Sequence, residues 1–554
     1  MKFFRYCLLA ILLAYGSLAQ AHVGSPEVSY QGKAGKYKVL INISPPDVIP
    51  GVAIASIYIE GYTDEKVYVQ TQYYLAGKKG SVDPEMAIPV NGAKGWFQCS
   101  AWLMMSGAAD LEITVVGHNG KGSVIVPVMA VATSARKMPR LLGTILVTLG
   151  ILLVVLMVTI IGASVSDGLV KPGTDDKRFK RKKAASMLVT FIIILGVLVY
   201  GAKWCKNERS TLLTLLYRPI QGRSKVFKYN GQNVLHLWVD NSALKYVHEP
   251  LSLVVPDHGK LMHLVLVKEK TFDVFAHLHP IRQDSLDFLV NLPGLPAGRY
   301  FLYGDIVSWN GFSETIIDTV QIPQNPAVQT AGLNNITIKT SPDDAWLIGT
   351  PVTVNSNKPV SICGIPGMCF TAQDGTTITW EHKMDEPVKA KKFIALTFHV
   401  QDAQGKPAPL QLYMGMAGHA IVIKYDGSVY AHLHPVGNFA MASQQVIGSR
   451  MGDPNKKLIL PDPKRFRDSI DKLITRIDNM TEDGRNDYLM AEMGMGKNMN
   501  MGKGMDMPSA AEQKCGSIVQ FPYSFPGPGM YRIWMEVKVN GKIITSAFDT
   551  KIIN

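Results

Sequence analysis

The sequence predicts a mainly β chain, built from three sandwich domains and two transmembrane helices. Three observations carry that reading. Segments such as Tyr37-Lys-Val-Leu-Ile-Asn-Ile and Ala53-Ile-Ala-Ser-Ile-Tyr-Ile alternate with a period of two, as half-buried strands do. Two apolar runs, about Leu141 to Ile161 and about Met187 to Tyr200, flank a strongly basic stretch. A hairpin pattern bearing three histidines occurs twice, from Lys260 to Pro280 and from Gly415 to Pro435.

In chain order, residues 1–21 read as a cleavable signal peptide. Lys2 and Arg5 precede the apolar stretch Leu8 to Ala14, and Ala19-Gln20-Ala21 is a small-x-small cleavage site. Cleavage leaves His22 at the mature N-terminus, where its α-amine and imidazole form a chelating pair suited to copper. Residues 22–137 follow as an immunoglobulin-like sandwich, with Cys99, Met104 and Met105 expected in its core. His118 is the other histidine there.

Residues 138–163 and 185–204 are expected to cross the membrane. The loop 164–184 between them, with Lys177-Arg178-Phe-Lys180-Arg181-Lys182-Lys183, is expected to be cytoplasmic. The signal peptide independently places 22–137 and everything after about 205 outside. The expected location is therefore the inner, cytoplasmic membrane, with the bulk of the chain periplasmic. The net charge of +13 is partly this loop and otherwise dispersed, so no nucleic-acid partner is implied.

Residues 206–323 form the second β domain. Its hairpin runs Lys260-Leu-Met-His263-Leu-Val-Leu-Val, then Phe275-Ala-His277-Leu-His279-Pro280. Alternation sets His277 and His279 on one face. A three-residue loop at Glu269-Lys270-Thr271 would set His263 opposite His277. His236, His248 and His258 read as ordinary surface or core residues. After a polar linker, residues 335–554 form the third domain, again immunoglobulin- or cupredoxin-like. Its hairpin holds His419 on the first arm and Tyr430-Ala-His432-Leu-His434-Pro435 on the second. The Asp426-Gly427 turn pairs Tyr425 with Ser428 and sets His419 opposite His434. Directly opposed Cβ atoms lie about 4.5–5.5 Å apart, so each imidazole trio could share one metal ion. Met414 and Met416 just precede His419 and could join it.

An insertion at 446–515 follows the second hairpin. Phe466, Ile470, Leu473, Ile474 and Ile477 mark a helical face. It ends in a methionine-rich run containing Met493, Met495, Met499, Met501, Met505 and Met507, diluted by Gly, Lys and Asn. Soft thioethers suit Cu(I) and serve zinc, calcium or magnesium poorly. Imidazole and thioether together point to copper, with zinc as the alternative. In an oxidising compartment Cys363 and Cys369 are candidates for a disulfide across the short loop between them.

The His-Leu-His-Pro hairpins and the closing Phe525-Pro-Gly-Pro-Gly-Met-Tyr-Arg-Ile-Trp segment resemble secreted and periplasmic heavy-metal-binding β-sandwich proteins. The N-terminal domain is similar to YtkA-like and CopC-like periplasmic domains. The resemblance implies a periplasmic copper role, and CopC-type sites would use His22 with later acidic and histidine partners. The expected function is membrane-anchored copper binding for tolerance, or for delivery to an exporter or cuproenzyme. No catalytic triad, phosphate loop or haem-attachment motif is evident, so an enzyme is not the first expectation. Two further readings stand beside it. One is a copper-dependent monooxygenase-like enzyme; the other is an assembly partner that needs no metal.

Overall fold

The computed structural model describes residues 22–23, 27–61, 64–166, 177–214, 216–239, 253–285, 287–329, 337–349, 369–382, 386–492 and 516–554. The signal segment, the side chains of His22 and Cys369, and residues His248, Cys363 and Cys515 lie outside them. So do Met493, Met495, Met499, Met501, Met505 and Met507. The fold is mainly β, with sandwich domains and two long apolar helices. It divides into two compact units, Met1–Ala130 with Pro219–Asn554, and Val131–Arg218.

In the first unit the N-terminal domain packs two sheets. One orders Val28–Ala34, Tyr37–Ser44, Gly51–Ile59, Trp96–Leu103 and Ile88–Pro89; the other orders Gly120–Ala130, Gly107–Gly117, Lys66–Tyr73 and Glu85–Met86. The apolar positions of the alternating pattern, Val39, Ile41 and Ile43 with Ala53, Ala55 and Ile57, are its buried core. Cys99 belongs to that core, but Met104 and Met105 do not: each is 52% exposed. The strand has ended by then, and the Tyr73 hydroxyl accepts both their backbone N–H groups at 2.6 and 3.2 Å. The chain turns outward there, which carries both thioethers out of the core.

The second domain's larger sheet orders Ile220–Gln221, Ser313–Ile322, Gly298–Ser308, His263–Lys268, Val274–Leu278 and Ala345–Ile348. The third domain's larger sheet orders His22–Val23, Val429–Leu433, His419–Lys424, Gly529–Val539, Lys542–Ile553 and Val388–Lys389. Two short strands thus pair outside the domains expected for them: Ala345–Ile348, expected in 335–554, edges the second domain's sheet, and His22–Val23, expected in 22–137, edges the third's.

Both larger sheets are covered on two faces. His263 to Val267 and His419 to Ile423 are buried at five consecutive positions, as a strand packed on both sides must be. Leu264 and Leu266, like Ala420 and Val422, point into their own sandwich cores. The alternate positions Val265, Val267, Ile421 and Ile423 meet across a seam with Phe272, Phe275, Tyr303, Tyr430 and Trp534. Tyr303 stacks on Tyr430 at 4.4 Å and 4°, and Trp534 on Phe275 at 5.1 Å and 16°. The two histidine-bearing sheets therefore lie face to face.

The helix Met441–Met451 runs into the insertion, which supplies the helices Pro463–Asp478 and Glu482–Glu492. Asp462 caps Pro463–Asp478 by accepting from the Arg465 N–H at 2.9 Å, with Pro463 at its first position. Ile470 and Ile474, on the face read from the sequence, pack against the second domain's core.

The second unit holds the helices Arg140–Ser166 and Lys177–Thr214, both long and apolar enough to cross a membrane. Lys177 to Lys183, expected in a loop, are the opening turns of the second helix. Gly162 faces Met187 so closely that a Cβ would fall 2.6 Å from its Cγ, so glycine there permits the helices' approach.

Candidate metal centre

Alternation continues along the seam-facing sides of both hairpins and ends in histidine. Val265 and Val267 share a face with His263; Phe275 shares one with His277. Ile421, Ile423 and Tyr430 stand likewise to His419 and His432. Beyond the apolar seam, seven imidazoles collect: His258, His263, His277, His279, His419, His432 and His434. All but His432 are nearly or fully buried, at 6% exposure or less, and the His432 side chain is 8% exposed. Two trios converge so that one ring nitrogen from each member lies within 4.8 Å of the others: His263, His277 and His279, and His258, His419 and His434. His432 stands between them, 5.1 Å from His263, 5.3 Å from His277 and 4.7 Å from His434, ring centre to ring centre.

The two hairpins repeat one geometry. Ring separations within the first, 5.3, 5.1 and 4.8 Å, match 5.4, 5.2 and 4.7 Å in the second. His263 pairs with Asp305 on its neighbouring strand, and His419 with Glu536 on its own. Each of these carboxylates then crosses the seam. Glu536 Oε2 lies 2.8 Å from His277 Nδ1, and Asp305 Oδ2 lies 3.6 Å from His432 Nδ1. The relation is a pseudo-twofold between two domains of one chain.

Hydrogen-bond accounting tests whether a cation fits. Glu536 takes the Nδ1–H of His277, leaving its Nε2 lone pair, which faces His263 Nδ1 at 3.1 Å. The other His263 nitrogen donates to the Asp257 carbonyl at 3.2 Å, so its Nδ1 also offers a lone pair. With Glu536 ionised, two lone pairs in contact require a shared cation, either an extra proton or a metal ion. Asp344 Oδ1 fixes His279 Nδ1 at 2.9 Å, and the Phe439 carbonyl fixes His434 Nδ1 at 2.9 Å. The Nε2 atoms of both rings, and both ring nitrogens of His419, have no hydrogen-bond partner among the described residues. Rings anchored through Nδ1 with Nε2 free are the arrangement by which carboxylates and carbonyls orient metal-binding histidines. The residues present fit a metal, and the buried trios could hold one ion each.

Burial sets the protonation. Desolvation, then the neighbouring imidazoles, hold His263, His279, His419, His432 and His434 well below the usual histidine range, and burial brings His258 down to about 4. Burial also pushes Asp344 up to about 7 and Asp305 up to about 6. Neutral imidazole is the form a metal needs. The helix Met441–Met451 and the insertion close over the site. The Ala442 N–H donates to Asp257 Oδ1 at 2.8 Å, and Arg485 and Lys260 meet Asp343 at 2.9 and 3.1 Å, beside Asp344. Glu536→Gln would keep the shape and lose the charge-assisted bond. Losing such a supporting partner costs about 10–100-fold in metal affinity, and competitive titration against a chelator would register it.

The placements differ from the sequence reading in four ways. His258, taken for an ordinary residue, completes the second trio from across the seam. His432, expected to share an ion with His419 and His434, instead stands between the trios. The first hairpin's register is Val265 opposite His277, which puts His263 two residues further along than expected. Its loop spans Glu269 to Asp273, with Lys270 and Phe272 at positive φ, and the even shift keeps every histidine on its face. Met416 packs in the N-terminal domain's core with Tyr30, Phe439 and Met441, so its burial follows from packing. Met414 is buried in the turn before His419. His118 is exposed and bonds Glu65, while His236 bonds Asp287; both stand outside the cluster.

A family model described as a domain of unknown function, DUF8832, matches residues 371–451, from the third domain's edge strands through the second hairpin and the helix Met441–Met451. No curated protein matches the chain. Among solved structures it is similar to dimeric latent PorU from Porphyromonas gingivalis, with 8% identity over 95% of this chain and 34% of that one, at a TM-score of 0.13. It is also similar to Salmonella alpha-2-macroglobulin reacted with methylamine, with 10% identity over 96% of this chain and 24% of that one, at 0.19. The chain thus spans about a third and a quarter of the length of these two proteins. Likenesses at these scores carry no argument about function.

Proposed function

We propose that this chain is a membrane-anchored, extracytoplasmic copper-binding protein that serves copper tolerance or copper delivery. The observation that supports it most is the seam itself, where buried neutral imidazoles turn unpaired nitrogens toward one another. Imidazole alone suits zinc, copper and nickel. The methionine-rich run in the same chain, together with the likeness of its hairpins to periplasmic heavy-metal-binding sandwiches, favours copper. The two apolar helices, the basic residues Lys177 to Lys183 and the N-terminal signal pattern favour an inner-membrane anchor with the β domains outside. An exporter or cuproenzyme is the partner such a protein would serve. Enclosure on all sides favours holding an ion over turning over a substrate, which sets this reading above the monooxygenase-like one.

The full chain, purified in detergent and equilibrated in turn with Cu(I), Cu(II), Zn(II) and Ni(II), is expected to retain copper in preference. The His279→Ala/His434→Ala variant should retain about two ions fewer, one for each trio. Stoichiometric zinc with no copper would remove the copper assignment. Equal retention by the variant would remove the seam as the binding site.

A further inference from the structure

The pseudo-twofold relates His258 to Met414. The turn Asp257–Lys260 is closed by reciprocal backbone hydrogen bonds of 2.8 and 2.9 Å, and Tyr413–Met416 is closed the same way at 2.7 and 3.1 Å. His258 and Gly259 have φ of 50° and 77°; Met414 and Gly415 have 52° and 79°. A left-handed non-glycine residue is uncommon, and here one recurs at the same place. Each stands five residues before the lone histidine of its hairpin, His263 or His419. His258 reaches across the seam to lie 4.8 Å from His434 and 5.3 Å from His419, ring to ring. Applied to Met414, the same operation would place it toward His279 and His263. Met414 is 1% exposed, and His279 Nε2 is one of the buried nitrogens without a partner.

We propose that the seam holds two unlike metal positions. One is all imidazole: His258, His419 and His434. The other adds a thioether: His263, His277 and His279 with Met414. A nitrogen-only position accepts Cu(II) or Zn(II), whereas a thioether ligand selects the soft Cu(I) ion. His277 and His432 are partners under the pseudo-twofold and face each other at 5.3 Å, where the two positions adjoin. This inference rests on the metal-binding reading above and adds that the two positions differ in the oxidation state they favour.

The test uses the full chain with Met493, Met495, Met499, Met501, Met505 and Met507 changed to Ser, so that their sulfurs do not contribute. After anaerobic Cu(I) loading, X-ray absorption at the copper edge is expected to show a sulfur neighbour that Met414→Leu abolishes. Removing even a supporting partner of a ligand costs about 10–100-fold, so Met414→Leu should weaken Cu(I) at least about tenfold in competition with a chelator. Zinc binding at the all-imidazole position should stay unchanged, which also reports that the variant folds. Met414→His should gain a second zinc position. Copper bound with no sulfur neighbour, or with a sulfur signal and affinity indifferent to Met414→Leu, overturns the unlike-positions inference alone. No copper retained by the histidines at all overturns it together with the copper-binding reading.

Discussion

The metal-free chain is expected to lose stability steeply as pH falls below about 6.5, the range where an unfolded histidine titrates. Six seam imidazoles titrate below that range in the folded state: His258, His263, His279, His419, His432 and His434. Below pH 6.5 the unfolded chain binds protons at these groups and the folded chain does not, so stability rises with pH and is lost on acidification. Five carboxylates oppose this. Asp110, Asp257, Asp305, Asp344 and Asp549 are raised by burial, so between their unfolded and folded values the folded chain holds the extra proton. The lowered histidines, with His236 added to the six of the seam, outnumber them, so unfolding takes up protons and stability falls as the pH falls. Denaturant midpoints between pH 7.5 and 5 in the presence of a chelator measure this. Metal loading should move the acid limb to lower pH, because an ion occupying the lone pairs must be displaced first. A flat profile in the chelated chain would show that water or counter-charge reaches the seam and that the imidazoles are not desolvated.

The fold class was legible because its signals are local. Alternation in Tyr37–Ser44 and Gly51–Ile59, and the apolar runs at 141–161 and 187–200, act within a single element. The second hairpin's register was equally local, since Asp426-Gly427 leaves room for little but a two-residue turn; Ala420 does pair with Leu433. The first hairpin has no such turn, and five residues close where three were expected. The joining of the two trios was not legible in the same way, because no local pattern encodes which domain face meets which. One signal pointed to it. His263 to Val267 and His419 to Ile423 are apolar at every position apart from the histidines, which a strand with one wet face would not be. His258 was missed for a related reason: its partners belong to the other domain, and the turn that presents it is marked only by Asp257-His258-Gly259.

Arg532→Met is expected to destabilise the first unit by about 3–5 kcal/mol, the usual cost of removing one partner from a buried ion pair. Arg532 is 1% exposed and lies on the seam face of Gly529–Val539, two residues from Trp534 and four from Glu536. Its guanidinium bonds both Asp549 oxygens, at 2.6 and 2.5 Å, and crosses the seam to the Phe272 carbonyl at 2.6 Å. Removing it leaves Asp549 buried without its partner and frees the loop that joins the two arms of the first histidine hairpin. The charge term and the seam term can be separated. Arg532→Met with Asp549→Leu buries no charge, so most of the lost stability should return, since apolar replacements of buried pairs are often neutral or better. The bond to Phe272 does not return with it. If that bond helps hold the first hairpin against the third domain, the double variant will melt near the parent in urea and still retain less metal. Full stability together with full metal retention would mean that the stacked pairs Tyr303 with Tyr430 and Trp534 with Phe275 fix the seam by themselves. The ion pair would then govern folding and leave the geometry of the imidazoles to the aromatic contacts.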